Sequence, residues 1–110
     1  MRPDGATKTP FEEATGLTLG PVRLCRATRE VTVDGSAVVL APMEFELLGY
    51  LMERQGAVVS RATLLADVWG FLSPGETRTI EVHIGQVRKK LGDRSLIRTV
   101  RGVGYQAVAP

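Results

Sequence analysis

The hydrophobic pattern of this 110-residue chain changes its period at Pro42, and that change restricts the fold more than any other feature. Before Pro42, Val31 and Val33 alternate with polar neighbours, as in a half-buried strand. Asp34-Gly35 separates two short apolar runs, which is a strong signal for a β-hairpin. The runs of this kind are Leu17–Leu19, Val22–Arg26, Glu30–Val33 and Ala37–Leu40. The N-terminal part is therefore predicted to be a small antiparallel sheet.

Helical spacing begins at Pro42, which suits the first position of a helix. The apolar stripe of this helix contains Phe45, Leu48 and Met52. Gly56 is predicted to close it. After a brief extended piece, Ser60 is a good N-cap for a second helix, which Gly70 ends.

A third helix is predicted from about Glu76 to Leu91, with Gly92 as its stop, after a loop that contains Pro74. The rest of the chain predicts a hairpin, with strands at Leu96–Val100 and Tyr105–Val108 around a glycine-rich turn. The predicted order is therefore sheet, three helices and hairpin, an α+β arrangement.

The first ten residues are rich in proline and polar side chains and carry no apolar period. Residues 1–14 are therefore predicted to be a flexible tail or an interdomain linker, and residues 15–110 a single domain. No apolar run approaches the roughly 20 residues that span a bilayer, so no membrane partner is expected. Cys25 is the only cysteine, which excludes an internal disulfide and fits a buried position in a reducing, cytoplasmic setting.

Basic residues are concentrated in the C-terminal half of the chain. Residues 1–59 hold six Lys/Arg and eight Asp/Glu, whereas residues 60–110 hold eight Lys/Arg and four Asp/Glu. A polyanion is therefore expected to bind the second half.

The third predicted helix has two different sides when its residues are placed 100° apart. Its core stripe contains Ile80, Ile84, Val87 and Leu91, and the opposite side contains Arg78, Val82, Gly85, Gln86 and Lys89. Arginine can bind guanine, glutamine can pair with adenine, and a valine methyl can meet a thymine methyl in the major groove. Val82 and Gly85 are unusual on a merely solvated face, although Val82 packed against another part of the chain is an alternative.

Several motifs, in order and in spacing over residues 17–108, resemble the OmpR/PhoB-type winged-helix family. The quoted runs are Pro42-Met43-Glu44-Phe45, Leu47-Leu48, Val59-Ser60-Arg61, Leu64-Leu65, Val68-Trp69-Gly70, Arg78-Thr79-Ile80-Glu81-Val82-His83-Ile84, Val87-Arg88-Lys89-Lys90-Leu91, and Ile97-Arg98-Thr99-Val100-Arg101-Gly102-Val103-Gly104-Tyr105. The resemblance implies a winged helix-turn-helix with an N-terminal four-stranded antiparallel sheet, a three-helix core and a C-terminal β-hairpin wing.

The resemblance also implies a function and its partners. Such domains are output domains of two-component response regulators, which bind double-stranded DNA to regulate transcription. They bind direct-repeat half-sites beside a second copy of themselves, and a sensor kinase acts on them through a receiver domain. The resemblance further implies that the loop over residues 70–77 contacts RNA polymerase through Phe71, Leu72 and Ser73. No cofactor and no metal are expected.

The resemblance assigns site residues in three groups. Those implied in the major groove are Arg78, Thr79, Val82, His83, Gln86, Arg88 and Lys89 on the third helix. Those implied at the minor groove are Thr99, Arg101 and Gly102 in the wing. Those implied at the phosphate backbone are Arg61, Trp69, Lys90 and Arg98. The angular pattern alone places His83 and Arg88 at the margins. Trp69 is equally compatible with a core position, with its ring N–H bonded locally.

This sequence departs from the family pattern in three ways. Ala41 stands where a threonine cap is usual, which costs about 1 kcal/mol that Pro42 and Glu44 partly offset. Gly85 and Gln86 replace basic residues, which implies weaker phosphate anchoring. No receiver domain is present, so the chain is either an excised output domain, as its linker-like start favours, or a stand-alone regulator.

Two functions from other classes remain as alternatives. A winged-helix module that binds protein is compatible with the apolar loop residues Phe71 and Leu72. An enzyme is disfavoured, because Glu44 and Glu46 stand two apart on a helix and do not face each other. No glycine-rich phosphate loop precedes a helix, and His83 lacks a second histidine as a metal partner.

Overall fold

The chain begins with an antiparallel sheet of four sequential strands, as predicted. A computed structural model describes residues 16–70, 79–92 and 95–109, so the predicted tail over 1–14 lies outside the described residues. The strands are β1 (Gly16–Leu19), β2 (Val22–Cys25), β3 (Glu30–Val33) and β4 (Ser36–Val38), in the order β1-β2-β3-β4. Cys25 ends β2 only partly buried, against the expectation of a core position.

The turn between β3 and β4 explains their register. Asp34 and Gly35 both have positive φ, 52° and 83°, as a two-residue hairpin turn matched to strand twist requires. Val33 consequently pairs with Ser36. Val31 and Val33 face the core while Glu30 is exposed, so the alternation in the sequence is the alternation of the sheet.

The first helix, α1 (Pro42–Glu53), starts at the predicted residue but has no side-chain cap from Ala41. The carboxylate of Glu44 instead accepts the Ala41 N–H at 2.9 Å. This bond satisfies one of the donors that a helix N-terminus leaves open. Gly56, with φ of 90°, follows the helix and donates its N–H to the Ala107 carbonyl.

The second helix, α2 (Arg61–Asp67), follows the short strand β5 (Val58–Ser60). Ser60 is its N-cap, as predicted, because its Oγ accepts the Thr63 N–H at 3.0 Å. The helix ends at Asp67 rather than at Gly70. The Val68 N–H donates to the Leu64 carbonyl four residues back, but the Trp69 N–H donates to the same carbonyl, five residues back. The regular α-helical pattern is therefore broken at Trp69, and the helix ends before Gly70.

The third helix, α3 (Thr79–Lys90), stops just before Gly92, whose φ of 84° ends it as predicted. Its predicted start near Glu76 lies outside the described residues. Strands β6 (Ile97–Val100) and β7 (Gly104–Ala107) then form the predicted hairpin. β7 also pairs with β5, in the sheet order β5-β7-β6. This pairing attaches the hairpin to the start of α2 and was not predicted.

A single core joins the two sheets and the helices. α1 lies at its centre and packs against α3, β1 and β7. The leucines of α1 at positions 47, 48 and 51 are fully buried there. Among the described residues, no helix is both long and apolar enough to cross a membrane.

Candidate nucleic-acid interface

Helix α3 has one buried and one open side. The buried side confirms the predicted core stripe, since each member is at most 2% exposed: Ile80, Ile84, Val87 and Leu91. The open side contains Val82, Gly85, Gln86 and Lys89, all exposed. These four residues do not contribute to the core.

Val82 and Gly85 have no packing role within the described part of the chain. Val82 is 61% exposed, so it is not buried against another described segment. A Cβ built on Gly85 would meet no described heavy atom within 4 Å. Glycine in a helix interior costs about 1 kcal/mol relative to alanine. Internal packing therefore explains neither the exposed valine nor the glycine.

Trp69, which follows α2, packs against His83 of α3. The Trp69 ring is 4% exposed and meets the His83 ring edge-on, with centroids 5.4 Å apart and planes at 77°. His83 itself is half-buried. This burial favours the core role that the sequence left open for Trp69, with His83 packed over it at the edge of the open side.

Arg88 connects α3 to the hairpin. Its Nε and Nη2 donate to the Ile97 carbonyl at 3.1 and 2.8 Å, and Nη2 also donates to Thr99 Oγ1 at 2.7 Å. Hydrogen bonds from a charged donor are among the stronger ones in proteins. Arg88 therefore fixes β6 relative to α3, so the two elements present their exposed residues together.

The hairpin tip is a three-residue turn over residues 101–103. Gly102 has φ of 75°, and the Val103 N–H donates to the Val100 carbonyl at 2.9 Å. Arg98, Thr99 and Arg101 are exposed. At Gly104 a Cβ would lie 1.9 Å from the Val59 carbonyl oxygen, so only glycine lets β7 lie this close to β5.

Arg61 and Glu81 form an ion pair between α2 and α3. Arg61 Nε donates to Glu81 Oε2 at 2.8 Å, and Nη2 donates to Oε1 at 3.3 Å. Hydrogen bonding from Arg61 lowers the pKa of Glu81, and the same bond raises the pKa of Arg61. Burial raises the pKa of Tyr105, and the nearby Glu81 charge raises it further. The pair borders an open groove of about 330 Å³ that the wing turn and Tyr105 also line.

Lys90 is paired with a buried carboxylate on α1. Its Nζ lies 2.7 Å from Glu44 Oε1, and the Glu44 side chain is 7% exposed. Burial raises the pKa of Glu44, but hydrogen bonds from Lys90 and from the Ala41 N–H outweigh it and leave the pKa below its usual value. Lys90 therefore joins the end of α3 to the beginning of α1.

Lys89 in α3 and two arginines of the wing, Arg98 and Arg101, are exposed and form no ion pair with the described residues. Arg98 and Arg88 line an open groove of about 510 Å³ beside β6, together with Ser95, Ile97 and Thr99. No acidic side chain lines this groove among the described residues. The surface next to α3 and the wing therefore carries positive charge that is not paired with any described carboxylate.

Some predicted site residues lie outside the described residues, namely Arg78, Phe71, Leu72 and Ser73. Thr79 is the first described residue of α3. Within the described ranges, no three His, Cys, Asp or Glu side chains lie close enough together to hold a metal ion.

The partners of the basic residues are not evident from the sequence. In the sequence, Glu81 belongs to the motif of α3 without an assigned role, and Glu44 is connected only with the start of α1. The paired residues are 20 and 46 positions apart along the chain. The only available signal was the presence of Glu81 on a face otherwise made of basic, polar and small residues.

Comparison with known proteins agrees with this geometry. The family model described as "Transcriptional regulatory protein, C terminal" matches residues 35–107. The response regulator protein PmrA of Pseudomonas aeruginosa is 49% identical over 86 residues, covering 78% of this chain and 38% of PmrA. The chain spans between 38% and 46% of the length of the first five curated relatives.

Two solved structures are similar over most of the described fold. The Klebsiella pneumoniae RstA DNA-binding domain, in complex with RstA box, has a TM-score of 0.75 at 30% identity and covers 84% of this chain and 96% of its own. The DNA-binding domain of Escherichia coli CpxR has a TM-score of 0.74 at 35% identity and covers 86% and 96%. With its sheet, three helices and wing, the chain belongs to the transcriptional regulatory protein C-terminal family, as an OmpR/PhoB-type winged-helix output domain of response regulators.

Proposed function

We propose that this chain binds double-stranded DNA in a sequence-dependent way to regulate transcription, with α3 in the major groove and the wing in the minor groove. The open side of α3 carries the proposal, because Val82 and Gly85 have no packing role among the described residues and Arg88 holds this helix beside the wing. Similarity to the RstA DNA-binding domain, solved in complex with RstA box, supports it.

The open side of α3 offers chemistry that the major groove can read. Gln86 can form two hydrogen bonds with adenine, and the Val82 methyls can contact a thymine methyl. Gly85, next to Gln86 and one turn after Val82, lets the helix backbone lie close to the base edges. Arg78, Thr79, His83 and Arg88 are proposed to complete the contact, with Arg88 also fixing the wing.

The wing offers a second contact. Arg101 and Gly102 form an exposed tip, and an arginine is attracted by the negative potential of a narrow minor groove. Lys89 and Arg98 are free of the described carboxylates and are proposed to bind phosphates. Arg61 and Lys90 are paired with Glu81 and Glu44, so they would bind phosphate through donors not used in those pairs, or by exchanging partners.

The wider role follows from the family. We propose that the domain acts in the cytoplasm, binds direct-repeat half-sites beside a second copy of itself, and is controlled by a sensor kinase through a receiver domain. The loop over residues 70–77 is proposed to contact RNA polymerase. PmrA and PhoB of Pseudomonas aeruginosa, by name a response regulator and a regulatory protein, support this role.

Selection from a randomised duplex library tests the proposal. We expect enrichment of two short half-sites about one helical turn apart, and log affinity that falls linearly with log salt. Arg101→Ala should weaken binding to the selected duplex by about 1–3 kcal/mol. Arg23→Ala, which removes an exposed arginine from β2 in the N-terminal sheet, is the matched control and should bind as the wild type does.

Each outcome has a clear meaning. Equal affinities of Arg101→Ala and wild type would exclude the wing contact while leaving the role of α3 intact. Absence of both enrichment and salt-dependent binding would exclude DNA binding by this chain. A module that binds protein through the loop over residues 70–77 would then be the remaining function.

A further inference from the structure

The Arg61–Glu81 pair places a carboxylate on the surface that is proposed to meet a polyanion. Both side chains are about half exposed, at 43% and 52%, so burial does not require the pair. Glu81 lies on α3 directly before Val82, and it also lines the groove next to the wing turn. A negative charge here opposes binding to any phosphate backbone, whatever its sequence.

The geometry of the pair restricts Arg61 to one direction. The Glu81 carboxylate accepts from Nε and Nη2 together, and such a two-point contact fixes the plane of a guanidinium. The Arg61 N–H also donates to the Val103 carbonyl at 3.2 Å, which ties the backbone of this residue to the wing turn. The backbone and the side chain of Arg61 are thus held relative to both elements of the interface.

We propose that Glu81 is a specificity-determining residue, because its pairing with Arg61 suppresses binding to non-cognate duplexes. This inference rests on the proposed function and assigns Glu81 a role in the specificity of the same interface. Phosphate contacts position a protein on DNA, whereas base contacts specify the sequence. An Arg61 side chain that is held by Glu81 can bind a phosphate only when α3 is docked in the major groove in the correct register.

The loss of Glu81 is expected to affect non-cognate DNA more than the cognate site. Without Glu81, the long Arg61 side chain can reach phosphates in many loosely docked positions. Binding to non-cognate DNA is almost entirely such phosphate attraction, so it gains most from a freed arginine. Binding to the cognate site gains less, because a correctly directed Arg61 already contributes there. Repulsive elements of this kind discriminate between partners by penalising the wrong one.

Glu81→Gln tests the inference on the full chain, because it removes the charge and keeps a similar side-chain volume. The probes are the duplex selected by the wild type and a duplex of mixed random sequence. We expect several-fold tighter binding to the mixed duplex and a smaller change on the selected one, so their affinity ratio falls. The slope of log affinity against log salt should steepen by about 0.9 on the mixed duplex, because one more cation binds phosphate.

Glu53→Gln is the matched control. Glu53 on α1 is also half exposed and paired with arginines, Arg26 and Arg54, but it does not line the groove beside the wing. The Glu53→Gln substitution changes the net charge by the same amount, and it should leave the affinity ratio and the slope of log affinity against log salt unchanged. An equal effect of both substitutions would overturn the inference, since net charge alone would then explain it.

The Arg61→Ala background distinguishes an effect of the ion pair from an effect of the Glu81 carboxylate alone. In that background Glu81→Gln should no longer steepen the salt slope, and a slope that still steepens would overturn the role of the pair. If the wild type selects no site but Glu81→Gln tightens and steepens mixed-duplex binding, the restraint on Arg61 stands while sequence-dependent binding fails. If neither protein binds any duplex, both proposals fail.

Discussion

The Arg88 guanidinium donates to the Thr99 hydroxyl at 2.7 Å and thereby joins the helix and the hairpin that form the interface. Because the same side chain also donates twice to the Ile97 carbonyl, the connection does not depend on one bond. A rigid connection fixes the distance between the helix and the wing. That distance decides whether both can enter neighbouring grooves of one duplex.

Arg88→Ala is expected to lower the free energy of unfolding by about 1–3 kcal/mol, because it removes charge-assisted hydrogen bonds and leaves a carbonyl without its donor. Thr99→Val removes only the hydroxyl acceptor and should cost clearly less. Urea unfolding of both variants and the wild type measures the difference. Equal stability of Arg88→Ala and wild type would mean that this contact contributes nothing in solution.

Val82→Ala is expected to leave stability within about 0.5 kcal/mol, since the side chain is exposed. Its affinity for the selected duplex should fall by about 1 kcal/mol, because two methyl groups no longer contact the groove. Val39→Ala is the control, since Val39 is 85% exposed and lies before α1, away from α3 and the wing. If both variants bind DNA equally well, Val82 does not contact a base.

Gly85→Ala is expected to change stability and binding in opposite directions. The helix should gain about 1 kcal/mol, because the new Cβ meets no described atom and alanine favours helix. Affinity for the selected duplex should fall, because the Cβ occupies the space through which the helix backbone approaches the bases. Thermal unfolding and binding titration measure the two effects. A more stable variant with unchanged affinity would show that the backbone does not come close to DNA here.

The parts of the fold that were predicted depend on local signals. Asp34-Gly35 specifies its turn through two adjacent residues that tolerate positive φ. Ser60 caps α2 by accepting from the N–H of Thr63, only three residues away. The buried stripe of α3 follows from the spacing of four apolar residues. Each of these features can be read within a window of a dozen positions.

The parts that were not predicted depend on residues that are distant along the chain. Nothing near Lys90 indicates that Glu44 holds it, and nothing near Val59 indicates that it pairs with Tyr105. The site showed the same division. Helical angles placed Val82, Gly85 and Gln86 on the open side. The partners of Arg61, Arg88 and Lys90 within the chain are visible only in the three-dimensional structure.

Glu44→Gln is expected to make stability depend less on pH. The folded pKa of Glu44 is below its usual value, so the carboxylate stabilises the fold above its unfolded pKa, and this contribution is lost as pH falls through the folded pKa. At neutral pH the substitution should cost about 1–3 kcal/mol, because Lys90 loses its charged partner. The difference in the free energy of unfolding between variant and wild type should close as pH falls below about 4, near the ordinary pKa of a glutamate.

Glu81, whose pKa is also lowered, titrates in both proteins, so the difference between the two curves of unfolding free energy against pH isolates Glu44. Parallel curves from neutral pH to pH of about 3 would mean that Lys90 and Glu44 do not stabilise the fold as an ion pair.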